Sequence, residues 1–599
     1  MATLINDIDE DLAEAAAEPS GVHIEQKNPI RSGRLASFVR WTLVALMAVA
    51  AAGLWMRGRG YVQWAKQRLG MSAGERLAPP LVVGTRPANG SANVRADVPM
   101  VIRLKLPNGA LDPATLTPAN VQLRRPDVDL TVPAKVTAGV AADGVNTLII
   151  TPTHPLEGGA KYSVVVTRGV KDVRGVPIVP WTFAFTTGSQ ADPSIRFEKV
   201  SLPTAAGFKS GFTCVQMGPD GKLWAASDDG RIFRFPVEPD GTLGTPAVYT
   251  SLQKANGGPR LLTGFAFDQT CCDEEIVLWA SHGWYGFEGA PDLSGKVSRI
   301  SGADLSVVQD VIVGLPRSIR DHLTNQPVFG PDGALYIPQA SNSSFGAPDE
   351  IWGNRAEHML NASILRLDVA AVTPGQPIDA RTKDVGGTYD PAAPNAPLTI
   401  YASGVRLAYD LLWHSNGNLY APVNGSSANG NAPAGPGVPP LNAIPDSEHD
   451  WFHRITPGRY YGHPNPAQGH YVLNGGNPTA GEDVAEIPQY PVGTKPDPLW
   501  TPAAYDFGNH VSPNGVIEYR SNAFDGKLKG KVLVCRYNGG SDILCLDLDS
   551  SGGVRTAHVA IPGLTNLVNP LDLTENPATG CIYVSEYGAQ KITLLRPLK

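Results

Sequence analysis

The sequence of 599 residues lacks the signatures of several common protein classes. It has six cysteines but no Cys-x-x-Cys pair and no cysteine–histidine spacing of the zinc-finger kind, which argues against a structural zinc site. Basic residues do not predominate, at 49 against 56 acidic, so the positive charge that nucleic-acid binding needs is missing. Beyond residue 80 no long stretch has a 3.6-residue apolar period, which argues against a helical fold.

Glycine and proline are abundant instead, at 64 and 53 residues, whereas methionine is scarce at 7. This composition favours many short strands joined by tight turns, and the length requires several domains. We therefore predict an all-β protein. Cys535 and Cys545 flank a turn at residues 538–540, where either a cross-strand disulfide or two buried free thiols would fit. The adjacent Cys271 and Cys272 are expected in a loop.

The N-terminal region differs from the rest of the chain. Residues 1–38 are polar and at first acidic, and we predict that they are disordered. Residues 39–57 contain an uncharged apolar run between Arg40 and Arg57, which covers roughly 24 Å as a helix. We interpret this run as a transmembrane signal anchor; a cleaved signal peptide and a buried helix are the alternatives. The basic residues on its two flanks are nearly balanced, so they do not set its orientation.

Residues 80–188 contain short runs of alternating apolar residues separated by glycine and proline turns. Runs of this kind predict an antiparallel β-sandwich. The opening Pro-x-x-Gly at 87–90, the turn at 169–175 and the closing FAFTTG at 183–188 resemble bacterial Ig-like modules. The resemblance implies a spacer or docking module, and the sequence identifies no partner for it.

Residues 198–599 contain a repeated pattern in which a turn leads into an apolar and aromatic strand. Asp-Gly or Asn-Gly before such a strand indicates a hairpin, and six copies predict a six-bladed β-propeller with four-stranded blades. The region at 424–513 is rich in glycine, proline and asparagine, which indicates long loops on one face. The copies are residues 218–227, 274–283, 330–339, 414–423, 530–537 and 579–588.

Within this repeat, Asp321 and His322 precede the sequence FGPDG at 329–333. The region around them resembles the soluble quinoprotein glucose dehydrogenase and sorbosone dehydrogenase family, and the resemblance spans nearly all of residues 200–599. It implies that His322 is the general base that takes a sugar hydroxyl proton and that Asp321 orients it. An imidazole suits that role because its pKa lies near neutrality. The alternative is that His322 only satisfies a backbone carbonyl.

The tripeptide Gly404, Val405 and Arg406 resembles the family segment whose arginine contacts the quinone. The resemblance implies a catalytic and cofactor-binding role for Arg406, although Val405 and Leu407 depart from the family pattern. The alternative is an arginine in an ion pair or at the surface.

A third resemblance concerns calcium. Asp450 precedes a Tyr-Gly-His-Pro segment that begins at Tyr461, with the spacing of the family's Ca²⁺-binding loops, and Gly425 lies in the matching earlier element. It implies that Asp450, Tyr461 and Gly425 supply oxygen ligands, which Ca²⁺ prefers. A glycine-rich turn without metal is the alternative.

The family's cofactor, pyrroloquinoline quinone, is a tricarboxylate held by arginines in the last blade. The corresponding residues 568–572 contain no arginine, and residues 258–264 lack the family's acidic or amide residue. Guanidinium–carboxylate pairs are strong, so we expect the quinone to bind only if Arg260, Arg536 or Lys495 replaces the missing groups.

A group of ring side chains offers another kind of site. It would form either a stacking platform for sugars or the packing between blades. Its members are Trp279, His282, Trp284, Tyr285 and Phe287.

The apolar run predicts a protein of the cell membrane with a single span, and the family resemblance implies that its propeller lies on the periplasmic, extracytoplasmic side. The leading hypothesis is an oxidoreductase that oxidises a sugar or related alcohol with pyrroloquinoline quinone and Ca²⁺. The alternatives are a non-catalytic surface propeller that binds a glycan or a protein, and a calcium-dependent lactonase-like hydrolase.

Overall fold

The computed structural model describes residues 77–94, 99–126, 130–140, 145–152, 156, 158–190, 192–202, 211–269, 275–478 and 485–598. The predicted disordered segment at 1–38, the predicted membrane span at 39–57, and Cys271 and Cys272 lie outside these residues. No helix in the described ranges has both the length and the apolar character needed to cross a membrane. The chain divides into two compact units, which are residues 1–89, 99–154 and 162–184, and residues 90–98, 155–161 and 185–599.

The described residues of the first unit form eight strands in two antiparallel sheets. The strands are β1 Leu81–Arg86, β2 Met100–Lys105, β3 Val121–Arg125, β4 Leu130–Val132, β5 Ala134–Val140, β6 Asn146–Pro152, β7 Lys161–Val166 and β8 Trp181–Thr186. The strand orders are β1-β2-β6-β5 and β4-β3-β7-β8. The strands alternate between buried and more exposed residues, as in β2, where Met100, Ile102 and Leu104 are buried. This alternation places one row of apolar side chains on the inner face of each sheet.

In the part of the second unit that the structure describes, the strands form six mainly antiparallel sheets, each with four or five strands and numbered 1 to 6 in chain order. Sheet 1 comprises β11 Phe212–Met217, β12 Leu223–Ser227, β13 Ile232–Phe235 and β14 Ala247–Tyr249, and sheet 2 comprises β15 Arg260–Phe267, β16 Leu278–Trp284, β17 Gly295–Ser301, β18 Val307–Leu315 and β22 Ile378–Asp379. Sheet 3 comprises β19 Val328–Phe329, β20 Leu335–Gln339, β21 Ser363–Leu367 and β23 Leu398–Ser403, and sheet 4 comprises β24 Leu412–Trp413, β25 Leu419–Val423, β26 His449–Ile455 and β27 Tyr505–Asn509. Sheet 5 comprises β28 Pro513–Glu518, β29 Val532–Arg536, β30 Asp542–Leu548, β31 Val554–Val559 and β9 Ser189–Gln190, and sheet 6 comprises β32 Pro570–Asn576, β33 Cys581–Glu586, β34 Lys591–Pro597 and β10 Phe197–Ser201.

The six sheets follow one another around a ring. The first strand of each sheet contacts the first strand of the next, and β32 of sheet 6 contacts β11 of sheet 1. The ring is therefore closed, which is the architecture of a β-propeller.

Helical structure in the described part is confined to short turns. The α-helix α1 is Ser251–Ala255, and the 3₁₀ turns are Pro113–Thr115, Glu350–Trp352, Val369–Ala371, Lys383–Val385, Pro466–Gln468, Ala523–Gly526 and Tyr587–Ala589.

The repeated strand found in the sequence is the second strand of each sheet. In β12, β20, β25, β29 and β33 every residue is buried. These strands are covered on both faces by neighbouring sheets, so their sequences are continuous apolar runs rather than alternating ones. In β29 and β30, Cys535 lies opposite Ile543 and Cys545 lies opposite Leu533. Both cysteines are free and buried, so the cross-strand disulfide does not form.

The ring closes because β10, from the beginning of the unit, pairs with β34 at the end of the chain. Phe197 of β10 packs edge-on against Tyr519 and Phe524, with ring centroids 6.5 and 5.1 Å apart. Nearer the centre, Asp572 of sheet 6 accepts a hydrogen bond of 2.7 Å from the backbone N–H of Val215 in sheet 1. The last sheet is therefore joined to the first at its outer and inner strands.

The centre of the ring is crossed by Tyr409, which precedes the first strand of sheet 4. Its hydroxyl lies 2.7 Å from the carbonyl oxygen of Thr213 in β11 and 3.1 Å from that of Thr263 in β15. The adjacent Asp410 accepts hydrogen bonds from the side chain of Gln326 and from the backbone N–H of Val516. These contacts connect sheets on different sides of the ring through one short segment.

Two buried carboxyl groups, Asp410 and Asp572, contribute to this centre. Burial raises the pKa of Asp410 to about 7. Burial, and then the charge of Asp410, raises the pKa of Asp572 well above its usual range. The folded protein therefore holds protons that the unfolded chain releases above about pH 4, so this contribution to stability is present at low pH and is lost as the pH rises.

We expect Asp572→Asn to weaken the pH dependence of stability. The amide keeps an oxygen for the N–H of Val215 but carries no charge at any pH. The melting temperature of the wild type should fall more steeply than that of the variant between about pH 4 and 8. Scanning calorimetry across this range measures both slopes, with the exposed Asp525→Asn as the matched control. Equal slopes for the wild type and Asp572→Asn would contradict the expectation.

Candidate functional site

Four of the connections between strands lie at one edge of the ring. They are β18–β19, β20–β21, β23–β24 and β25–β26. Successive strands run in opposite directions, so alternate connections return to the same edge. The predicted residues His322, Arg406 and Gly425 lie in the first, third and fourth of these connections. We call this side of the propeller the loop edge.

His322 is buried in the β18–β19 connection, with only 3% of its surface exposed. Its Nδ1 atom lies 3.1 Å from the carbonyl oxygen of Ser341 and 3.1 Å from the Ser341 hydroxyl. A carbonyl oxygen can only accept, so Nδ1 carries the proton. Burial, and then the nearby Arg406 guanidinium, lowers the pKa of His322 well below its usual range. The ring is therefore neutral at pH 7, and Nε2 is a hydrogen-bond acceptor.

Asp321, predicted to orient His322, is exposed. The partner at Nδ1 of His322 is Ser341 instead, 19 residues further along the chain. Backbone contacts hold the histidine as well, because its N–H donates to the Ser318 hydroxyl and its carbonyl accepts from Arg317.

Arg406 is buried, with 7% of its surface exposed. Its guanidinium donates to the carbonyl oxygens of Ser344 at 3.1 Å and Gly425 at 3.0 Å. The carbon of the guanidinium lies 5.8 Å from the ring centroid of Trp352, and the His322 ring lies 4.1 Å from the same indole. The loop edge therefore brings His322 and Arg406 together around Trp352.

The serine-rich segment at residues 341–344 is buried and held by Glu357. This carboxylate accepts hydrogen bonds of 2.9 Å from the backbone N–H groups of Asn342 and Ser343. It also lies 3.1 Å from Nε2 of His463 in the long β26–β27 connection. Glu357 thus fixes the loop whose first residue, Ser341, orients His322.

The residues predicted to bind calcium make other contacts. Asp450 is buried, and its two carboxylate oxygens accept hydrogen bonds from the N–H groups of Gly425 at 2.7 Å and Ser512 at 2.8 Å. Burial raises its pKa to about 7. The carbonyl of Gly425 accepts from Arg406. Tyr461, whose backbone carbonyl was the predicted ligand, is buried. A guanidinium directed at the Gly425 carbonyl opposes a cation there, and both Asp450 oxygens are hydrogen-bonded, so Asp450 and Gly425 do not fit Ca²⁺.

The cations proposed to hold the quinone carboxylates are also committed elsewhere. Arg536 and Asp542 form a buried bidentate ion pair, with distances of 2.7 and 2.6 Å. Arg260 donates to Nδ1 of His282 and to the carbonyl of Ser294. Lys495 is exposed in the β26–β27 connection. Arg406 alone of the four lies beside His322, so this arrangement does not fit a tricarboxylate.

Of the aromatic group noted in the sequence, Trp279 and His282 are buried, whereas Trp284 and Tyr285 are 49% and 38% exposed. The backbone that follows these two residues lies close to the His322 segment, because Arg317 donates both to the carbonyl of Gly286 and to that of His322. The loop edge thus combines a buried polar cluster with an exposed aromatic pair.

Sequence reasoning missed Trp352, Ser341 and Glu357. The run of small polar residues at 341–344 directly after a buried strand was the available signal for a structured loop. No local pattern indicates that Ser341 offers its carbonyl to a histidine or that Trp352 lies between two distant residues.

We expect Ca²⁺ to leave the stability of the protein unchanged, because the oxygens of Asp450 and Gly425 are already engaged. Addition of about 2 mM CaCl₂ after chelation should not raise the melting temperature, whereas a specific site would raise it with concentration. A saturable rise that Asp450→Asn removes would contradict this expectation. The Asp390→Asn variant, at an exposed carboxylate, is the control.

Comparisons with known proteins give one family match and several distant structural likenesses. No curated protein matches the chain. The holo pyranose dehydrogenase PQQ domain from Coprinopsis cinerea is 11% identical, covering 68% of this chain and 98% of that one, with a TM-score of 0.43. An auxiliary nutrient binding protein from Bacteroides ovatus is 11% identical, covering 87% and 99%, with a TM-score of 0.32. The WD40 β-propeller domain of Doa1 is 9% identical, covering 67% and 98%, with a TM-score of 0.29.

These scores are low, and no function is transferred from them to this chain. The family match confirms the nature of the first domain: residues 77–187 match the family described as a bacterial Ig-like domain.

Proposed function

We propose that the loop edge around His322 and Arg406 binds a carbohydrate or a related polyhydroxyl compound. The observation that carries this proposal is that a hydrogen-bond acceptor and hydrogen-bond donors lie together around Trp352. His322 presents an acceptor at Nε2, because Nδ1 donates to Ser341, and Arg406 presents donors. A sugar hydroxyl both donates and accepts, so an acceptor and a donor at short range suit it.

The exposed rings of Trp284 and Tyr285 support the same ligand class. Aromatic rings offer an apolar face to the C–H groups of a sugar while their polar atoms stay hydrated. Large exposed aromatics beside a polar cluster are typical of binding surfaces.

The charges around Arg406 favour a neutral ligand. Burial lowers the pKa of Arg406, and the charges of Glu448, Asp321, Asp450 and Glu357 act in the opposite direction. These carboxylates offset the charge of the Arg406 guanidinium, which favours a neutral ligand over a polyanion beside it.

We also infer that the six sheets are the six blades of the propeller.

We further propose that residues 39–57 are a signal anchor. They would hold the propeller at the cell membrane on its extracytoplasmic side. The Ig-like domain would then act as a spacer between membrane and propeller. Protease treatment of intact cells tests the placement, because an extracytoplasmic propeller is cleaved before the membrane is broken.

Sugar binding is tested on an array of neutral oligosaccharides, followed by calorimetry with the strongest ligand. We expect the double variant Trp284→Ala/Tyr285→Ala and the variant His322→Ala each to weaken binding by about tenfold or more. Trp181→Ala, at a tryptophan of the Ig-like domain that is 42% exposed, should bind as the wild type does. Failure of every oligosaccharide to bind would reject the proposal.

Oxidation of a bound alcohol is the second candidate. The specific observation in its favour is the neutral His322, whose Nε2 can accept a hydroxyl proton. Purified protein mixed with pyrroloquinoline quinone and Ca²⁺ would be assayed for sugar-dependent dye reduction. We expect none, because the cations for the quinone carboxylates are engaged elsewhere; dye reduction that is lost in His322→Ala would establish the oxidoreductase instead.

A further inference from the structure

A second cluster of reactive side chains lies away from His322, where the long β26–β27 connection meets the end of β23. The Ser403 hydroxyl lies 3.1 Å from Nε2 of His470, and Nδ1 of His470 lies 2.8 Å from a carboxylate oxygen of Asp497. Serine, imidazole and carboxylate thus form a continuous hydrogen-bonded chain in the order found in serine hydrolases. None of these residues takes part in the site around Trp352.

The directions of these hydrogen bonds follow from the chemistry of the groups. The Asp497 carboxylate can only accept, so Nδ1 of His470 carries the proton and Nε2 is the acceptor for the Ser403 hydroxyl. The same hydroxyl lies 3.3 Å from the carbonyl of Arg459, a longer and competing contact. The imidazole is therefore in the tautomer that can take the serine proton.

The backbone fixes this geometry from both sides. Ser403 ends β23 and forms a parallel bridge with Tyr460, while the ring of Tyr460 stacks on His470 at 4.4 Å with an interplanar angle of 16°. Gly404 follows the serine with φ of +72°, and a Cβ there would lie 2.4 Å from the Tyr460 ring. The chain therefore turns directly after the serine, and this turn holds the Ser403 side chain beside the His470 ring.

Another serine–histidine contact in the chain shows that proximity does not by itself give this arrangement. Ser298 lies 2.9 Å from Nε2 of His282, but it donates to Asp310 at 2.8 Å. His282 accepts from Arg260 at Nδ1, so its Nε2 carries the proton and cannot take one from serine. The Ser298 group is also completely buried.

By contrast, the side chains of His470 and Asp497 are each 12% exposed, and Ser403 is 8% exposed. The cluster is therefore mostly buried but retains some contact with solvent. A small ester suits such limited exposure better than a polymer chain does.

We propose that Ser403, His470 and Asp497 form a hydrolytic triad for small carboxylic esters such as acetyl esters. The Ser403 oxygen attacks the ester carbonyl while His470 Nε2 takes its proton, and the alcohol leaves with that proton. Water then attacks the acyl-serine with His470 as base, which releases the carboxylic acid and restores the serine. Neither a metal nor a redox partner is required, and the proposal does not rest on sugar binding at the loop edge.

Covalent labelling of the wild type is the primary test. A fluorophosphonate probe should react with the native full-length protein, and peptide mapping should place the adduct on Ser403. Heat-denatured protein should not react. An adduct absent from Ser403 in natively folded protein would overturn the proposal, and this readout needs no variant.

Hydrolysis of p-nitrophenyl acetate is the second test. Ser403→Ala and His470→Ala should lower kcat/KM by about 100-fold or more, and Asp497→Asn should lower kcat substantially with little change in KM, because the amide can donate to Nδ1 of His470 and so leave Nε2 protonated. Ser298→Ala, in the non-triad pair, should retain the wild-type rate. If all variants hydrolyse the ester as the wild type does and only their melting temperatures fall, the three residues merely attach the β26–β27 connection to β23 and the proposal fails.

Discussion

Closure of the ring is the constraint on which the rest of the propeller depends. An open row of sheets would expose the backbone edge of its last strand, whereas the pairing of β10 with β34 satisfies that edge. The hydrogen bond from the N–H of Val215 to Asp572 also joins the last sheet to the first, near the axis of the ring. Because the sheets are held by strand pairing and buried inner faces, the connections at the loop edge can vary without loss of the fold, and functional residues collect there.

The same constraint explains why carboxyl groups lie buried at the centre. Asp410 and Asp572 each accept a backbone N–H from the first strand of another sheet, and that strand has a ladder partner on one side only. A buried N–H without an acceptor costs more than the hydrogen bond itself contributes. Burial in turn favours the protonated carboxyl, so joining the sheets makes the centre of the propeller sensitive to pH.

The sequence predicted the β class and the repeat because the second strand of each sheet is covered on both faces and is therefore an apolar run after a turn glycine. Gly221, Gly333 and Gly417 occupy the left-handed region at such turns. The sequence also predicted that His322 and Arg406 belong to the same site. It did not reveal Ser341 as the partner of His322, since a backbone carbonyl leaves no mark in a sequence. The pairing of Arg536 with Asp542 was open to prediction, because the two residues face each other across one hairpin.

The proposed ligand class rests on how the positive charges of the loop edge are used. Arg536 is neutralised by Asp542, Arg260 is held by His282 and Ser294, and Arg406 lies among carboxylates. A polyanion would have to displace these internal contacts, and breaking a buried ion pair leaves an uncompensated charge. A neutral polyhydroxyl ligand needs only the free acceptor of His322, the remaining donors of Arg406 and the exposed rings nearby. The electrostatics that stabilise the fold therefore support the proposed sugar ligand over a carboxylate-rich cofactor at this edge.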